Sequence, residues 1–426
     1  MNLEQLHQAV AEDAALRRRQ RLQPAGGQGD KIFPPTYPGE GPSDPPRHVL
    51  ERRRIEGEER NCVLIDSVQS QANRLEEALL AAAEAGRIRL PRLTVNFPGA
   101  GLNSVGPISV LEAPHRIFDA ILRDSKLEDK PFRESGLGQA LRQATPADAT
   151  AILQAAPTAL VFGAWNSTGE GGGLGAKFAR AIVSEVIGVD VPVEEVADRR
   201  TGEITLRNAG RRTGSRIDPL GIIKAAAEIY EHKDNPRDWT IDPQEAAGGS
   251  ENPKKYTGKK GSRGEAGSPT KINHSNFPPT IDQMGVTCAY ALQTQVLTFA
   301  GLRRLRFGAD EGRNLAARTY LAALGIVAMI EGNRQGMALR SRCDLVCEGG
   351  LAPIEIVAFD GTTQETAIDP EAAIALHEAA FDAARAAGFA LDPEPITLEP
   401  QEKLVELVRL SQQKALADEG GEADGE

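Results

Sequence analysis

Hydrophobic and polar positions change their period several times along this chain, and each change predicts an element. Residues 11–23 read as a strand, with Arg17, Arg19 and Arg21 falling on one face at period two. Pro24 to Pro46 is rich in Gly and Pro and reads as a loop, since prolines remove ladder donors. Residues 61–68 form a compact apolar run suited to a buried strand. Ala72, Leu75, Leu79, Leu80 and Ala83 then recur at helical spacing, with Ser67 as cap and Gly86 at the end. Residues 158–165 read as a second buried strand. A glycine-rich loop, Gly169 to Gly175, leads into an expected helix with Phe178, Ala179, Ile182, Val183 and Val186 inward and Lys177, Arg180 and Ser184 outward.

Residues 199–280 are charged, rich in Gly and Pro, and weak in periodicity, which predicts an insertion with flexible parts. Regular structure returns as a strand or hairpin arm at 286–299, a helix at 311–331, and a last core strand from Met337 to Val346 with Arg340 and Arg342 on one face. A helix near 370–387 and an acidic tail complete the chain. This order fits an α+β fold, an antiparallel sheet with helices on one side in the ferredoxin-like or RRM-like arrangement. The expected divisions are 1–198 (first part of such a palm, with a helical insertion at about 87–157), 199–285 (a thumb-like insertion), 286–395 (the rest of the palm) and 396–426 (the tail).

Composition narrows the class. Over 426 residues, apolar side chains make up 40% and aromatics only 4%, so packing rests on Leu, Ile, Val and Ala. Cys62, Cys288, Cys343 and Cys347 have no disulfide-framework spacing; Cys343 and Cys347 read as small buried hydrophobes rather than a metal pair. With no signal peptide and no apolar run of about twenty residues, a soluble, cytoplasmic protein without membrane contact is expected. The net charge of −11 argues at first against nucleic acid, but basic residues cluster at 16–21, at 199–216 and at 254–263, while Asp418, Glu419, Glu422, Asp424 and Glu426 crowd the tail. Local field within about 8–10 Å governs binding, so basic stripes are compatible with RNA.

Five passages carry a resemblance. They are Gly29-Asp-Lys-Ile-Phe-Pro-Pro-Thr-Tyr37, Ser67-Val-Gln-Ser-Gln-Ala-Asn-Arg-Leu-Glu76, Ser109-Val-Leu-Glu-Ala-Pro-His-Arg-Ile117, Ala159-Leu-Val-Phe-Gly-Ala-Trp-Asn-Ser-Thr168 and Gly172-Gly-Gly-Leu-Gly-Ala-Lys-Phe-Ala-Arg-Ala-Ile-Val-Ser-Glu185. In this order they resemble the RAMP-superfamily, crRNA-binding backbone subunit of the type I-U (I-G) CRISPR Cascade complex; after about residue 190 the match is looser. The resemblance implies a hand-like subunit that polymerises along the CRISPR guide RNA and presents it to target DNA. Its partners would be copies of itself in a head-to-tail filament, the large subunit, 5′-end-capping and guide-processing subunits, and indirectly a recruited nuclease-helicase. No catalysis, metal or cofactor is implied.

The candidate RNA contacts follow from residues and resemblance together. Glycines let backbone approach a phosphate, so Gly172, Gly173 and Gly175 with Lys177 and Arg180 form a phosphate loop, in competition with a plain flexible connection. Gln69, Ser70, Asn73 and Arg74 on the first helix face compete with an ordinary N-terminal turn; His115 and Arg116 follow Pro114 at an expected helix start, where a cation gains nothing from the dipole. Lys31, Trp165, Asn166, Ser167, Arg211, Arg212, Arg216, Lys271, Asn273 and His274 complete the expected set. The alternative is a dinucleotide-binding oxidoreductase, because Gly171, Gly173 and Ala176 satisfy Gly-x-Gly-x-x-Ala; the long loop after the strand speaks against it. Six scattered histidines and no serine-nucleophile motif give catalysis little footing.

Overall fold

The computed structural model describes residues 1–39, 46–166, 177–197, 201–202, 204–258 and 265–419. Ser167, Gly169 to Gly175 and Ala176, and with them Gly171, Gly172 and Gly173, lie outside the described residues. So do Lys259, Lys260, Arg263, Glu422, Asp424 and Glu426. The chain divides into two compact units, Met1–Gly210 with Met284–Val405 and Arg211–Gln283 with Glu406–Glu426.

The first unit opens with helix α1 (Leu3–Glu12), strand β1 (Ala15–Pro24), the hairpin β2 (Leu50–Ile55) to β3 (Glu58–Asp66), and helix α2 (Val68–Glu84). Short elements follow: β4 (Leu93–Asn96), β5 (Pro107–Ser109), α3 (Ala120–Arg123), β6 (Ser125–Leu127), β7 (Lys130–Pro131), α4 (Gly136–Gln143), α5 (Thr150–Ala155) and α6 (Thr158–Phe162). Strands β8 (Ala164–Trp165), β9 (Lys177–Phe178), β10 (Ile182–Val189), β11 (Val193–Ala197) and β12 (Ile204–Asn208) come next. The second unit holds β13 (Arg212–Arg216), β14 (Tyr230–His232), β15 (Asn235–Thr240) and β16 (Phe277–Asp282). The first unit resumes with β17 (Tyr290–Thr298), α7 (Phe299–Leu302), α8 (Glu311–Glu331), β18 (Met337–Arg340) and β19 (Cys343–Cys347). It ends with β20 (Ile354–Val357), β21 (Thr363–Thr366), α9 (Pro370–Ala386), β22 (Ile396–Pro400) and the start of α10 (Glu402–Glu419).

The fold is α+β. Its main sheet has nine strands, β18-β19-β1-β17-β10-β3-β2 along one path, with β20 also on β1 and β21 on β20. Every pairing in it is antiparallel. A separate five-stranded sheet, β5-β4-β22-β6-β7, gathers the short strands. Period-two alternation gives the main sheet two different faces. Along β1, Leu16, Arg18, Gln20 and Leu22 are buried, and their β17 partners in register are Leu297, Gln295, Gln293 and Ala291, all buried too. Helices α2 and α8 pack on this face.

A polar chain runs through that buried layer. Arg18 donates to Gln20 Oε1 at 2.8 Å, to Asn333 Oδ1 at 3.1 Å and to the Met329 carbonyl at 2.7 Å. Asn333 donates to Gln293 at 3.0 Å, Gln293 to Gln71 at 2.8 Å, and Gln71 to Asp66 at 2.6 Å. Asp66 is closed off by Arg74 and Arg340, each at 3.1 Å. Buried polar groups are tolerable when partnered in this way.

Most expected elements are present: β1, β3, α2 with its Ser67 cap, α8 and α9. Several expectations are corrected. Residues 158–165 are helix α6 followed by the two-residue β8; a short, fully buried apolar run reads the same for helix and strand, and Pro157 at the start suits a helix. The expected helix after Gly175 is β9 and β10, because Ile182, Val183, Val186, Ile187 and Val189 are β-branched. Val183 therefore points outward, 40% exposed, and Ser184 is buried. Met337–Val346 is a hairpin, not one strand, turning where Arg342 takes φ +57°. Residues 286–299 supply the central strand β17 rather than a projecting arm. The segment 87–157 mixes short strands with short helices, and the expected tail contributes β22 and α10. Contrary to the expectation of no such run, α8 is long and apolar enough to span a bilayer by length and composition, but it is the core helix, buried along nearly all its length.

Candidate nucleic-acid interface

The face of the main sheet opposite α2 and α8 carries the basic row. Arg17, Arg19 and Arg21 stand on it in line, as period two requires. Arg17 pairs with Glu355 of β20, whose carboxylate raises the guanidinium's pKa further. Arg21 pairs with Glu348 at 3.1 Å and lies 4.0 Å over the Tyr290 ring. Arg19, exposed between them, has no ion-pair partner among the described residues. Four strands from β1, Arg53 of β2 meets Glu185 of β10 at 2.6 Å and Glu51 at 2.5 Å. Beside the row, Ile55, Cys62, Ile187, Val189 and Leu292 form a small apolar cluster with Tyr290 against it. The arrangement offers cations along a line with an aromatic ring at one end, which suits a single-stranded backbone with a stacked base. Tyr290 and Arg53 were missed in the sequence; the signals were Tyr290 sharing the parity of Leu292 and Thr294, and the Arg52–Arg54 run opposite β3.

A second group lies where α6 meets the β8–β9 ladder. Trp165 and Lys177 are cross-strand partners, with the ammonium 5.6 Å from the indole centre and Trp165 half exposed. They mark the two ends of the glycine loop, and Asn166 adjoins them. Gly163 has φ +85°, and a Cβ there would come within 3.0 Å of the Arg180 amide, so glycine is required. Arg116 binds Glu76 through both oxygens, at 2.7 and 2.6 Å, and the Gly163 carbonyl at 3.0 Å. Burial pushes the Glu76 carboxyl up to about 7, with the Arg116 hydrogen bonds pulling the other way. Arg180 donates to the Phe162 carbonyl at 3.3 Å; burial and then the nearby Arg116 charge lower its pKa. Arg116 alone binds this carboxylate, while the Arg180 charge acts on it from further off. Arg116 sits in a short 3-10 turn after His115, not in a regular helix start, and its main engagement is this buried pair. His115 itself is exposed.

On α2, Gln69 and Asn73 are exposed, Ser70 lies in the capped first turn, and Arg74 turns inward to Asp66 and the Leu339 carbonyl. Arg74 is therefore tied into the core rather than displayed. Lys31 is half buried.

In the second unit, Arg216 binds the Asn273 carbonyl and lies 4.7 Å from the Phe277 ring centre. Asn273 takes φ +62° to close the turn that begins with Pro269 and contains Lys271. His274 Nδ1 faces Asp218 at 3.3 Å, and Arg212 pairs with Asp282 at 3.3 Å. Arg211 precedes this strand pair. Among the described residues one set of possible metal ligands, His232, Asp234 and Glu245, comes within 4.8 Å. Lys233 already holds Glu245 at 2.9 Å, and His232 Nδ1 accepts the Asp234 amide at 3.2 Å.

Fold and surface define an α+β protein with a helix-backed antiparallel sheet and a basic, partly aromatic outer face. Residues 16–193 match the family model described as CRISPR-associated protein GSU0053. No curated protein matches it.

Proposed function

We propose that this protein is the non-catalytic, guide-RNA-binding backbone subunit of a type I-U (I-G) Cascade complex, acting in the cytoplasm. The observation that carries the reading is the row Arg17, Arg19 and Arg21 on the uncovered sheet face, inside the stretch matched by the CRISPR-associated family. The strand order β19-β1-β17-β10, with α2 and α8 as the two crossings, supports the RRM/ferredoxin-like palm. In this reading copies stack head to tail along the guide, the guide pairs with target DNA, and other Cascade subunits bind the ends. The dinucleotide alternative has no support: such a site needs a helix directly after the glycines, and a strand pair follows them.

Contacts of this kind are mainly to phosphate. Affinity for single-stranded RNA should fall with salt at a log–log slope of about −0.7 per neutralised phosphate, and vary little between unrelated sequences. A titration series in increasing salt tests it; an affinity indifferent to salt would refute the backbone reading.

A further inference from the structure

The hairpin β20–β21 displays a ring that its own unit leaves uncovered. Phe359, in the turn between the strands, is 91% exposed. The turn is well made: Asp360 Oδ1 accepts from the Thr362 amide at 2.9 Å and the Thr362 hydroxyl at 2.7 Å, and the Ala358 amide donates to the Thr362 carbonyl at 2.9 Å. A scattered surface hydrophobe needs no explanation, but an aromatic ring held out by an ordered tip is the usual form of an interface anchor.

The surrounding charge says what covers it. No Lys or Arg occurs between Arg342 and Arg385, while residues 343–369 contain six acids. Glu355 and Glu365 face each other in register across the hairpin, and among the described residues Glu355 alone of the two has an ion-pair partner, Arg17. Such a tip repels phosphate and fits an apolar surface with a basic rim. The second unit carries a surface of that character. Ile217, Leu220 and Ile223 are 83%, 70% and 64% exposed, beside Arg216, whose guanidinium meets the Asn273 and Ser275 carbonyls and no carboxylate among the described residues, and Lys224, loosely paired with Glu265 at 3.9 Å. Buried Asp218 holds this loop in shape, accepting from the Leu220 amide at 2.9 Å and the Ser275 amide at 2.7 Å.

We propose that Phe359 and its acidic hairpin dock onto the Ile217–Lys224 loop of a second copy of this chain. Two different surfaces meet, so the contact is heterologous and repeats without closing on itself. Its biological sense rests on the backbone reading above; the contact itself does not.

The test uses the full chain and two measurements. Sedimentation velocity over a concentration series, alone and with an RNA long enough for two copies, reads self-association. Titration with an RNA too short for two copies reads the single-copy site. Phe359→Ala should weaken self-association tenfold or more and leave short-RNA affinity within twofold. Asp360→Lys should weaken it as well, and Lys224→Glu in the same chain should restore part of the loss. Undiminished association of Phe359→Ala overturns the proposal. So does an equal loss of short-RNA affinity, which would make the ring a base-stacking group. If the wild type binds no RNA yet Phe359→Ala still abolishes association, the docking stands and the backbone reading falls.

Discussion

Arg18 and Arg19 are neighbours on one strand with opposite fates, and exchanging each for alanine separates folding from binding. Arg18 is fully buried and makes five hydrogen bonds, to Gln20, Gln295, Asn333 and the carbonyls of Met329 and Ala352. Burial lowers its pKa to about 10, so holding the charge there costs about 3 kcal/mol. That cost is offset only while the acceptors remain engaged. Arg18→Ala removes the donor, leaves those acceptors buried without it, and opens a cavity, for a loss of about 3–5 kcal/mol. The unfolding midpoint should drop by roughly 4–7 °C. Arg18→Met, which refills the space without a charge, should be milder by about 1–2 kcal/mol. Arg19→Ala should change stability by less than about 0.5 kcal/mol. In RNA titrations, however, it should cost about 1–2 kcal/mol and flatten the salt slope by about 0.7, since its guanidinium has no carboxylate to leave. Thermal melts together with salt-dependent binding read both quantities. The reasoning fails if Arg19→Ala lowers the melting midpoint while the slope stays put, or if Arg18→Ala melts normally.

Trp165→Ala should weaken single-stranded RNA binding by about 1–2 kcal/mol through a lost stacking surface, and Lys177→Ala should act mainly on the salt slope; equal binding by fluorescence anisotropy would remove this corner from the interface. His48 donates from Nδ1 to the Pro35 carbonyl at 3.0 Å and accepts the Gly285 amide on Nε2 at 3.2 Å, with burial, against the Pro35 bond, lowering its pKa. A depressed histidine pKa means that the unfolded chain binds the extra proton. Stability should therefore fall as pH drops below about 6.5, by at most about 1.4 kcal/mol per pH unit for this group. Urea midpoints between pH 5 and 8 should show a shallower fall in His48→Gln, and an unchanged profile would assign the acid sensitivity elsewhere.

The sheet was legible where one period ruled. Strand parity alone put Arg17, Arg19 and Arg21 in one row, although Arg18 and Gln20 between them are polar in the sequence and buried in the fold, and α8 showed its core half as the apolar run 320–330. Legibility failed where burial covers all sides of an element. Thr158 to Phe162 are every one buried, so no face distinguishes helix from strand. Lys177 to Val186 misled for another reason: apolar residues at 178, 179, 182, 183 and 186 follow helical spacing, and β-branching was the deciding feature. The function of Arg74 and Arg116 was also invisible locally. Their partners, Asp66 and Glu76, are acids whose burial only the packed structure reveals.

The way the outer arginines are paired bears on how such a subunit would work. Arg17 and Arg21 each hold a glutamate from a neighbouring strand, so an arriving phosphate exchanges one anion for another and gains less than an unpaired cation would give. The pairing also fixes the side chains in a line, which lowers the ordering cost when RNA binds. A single copy would then hold RNA weakly and without choice of sequence. Affinity would arise from repetition, since each copy placed on the same strand raises the effective concentration of the next contact. Net acidity is compatible with this: surface carboxylates would keep isolated copies from condensing on arbitrary nucleic acid, while the row would remain available to a strand that many copies grip together.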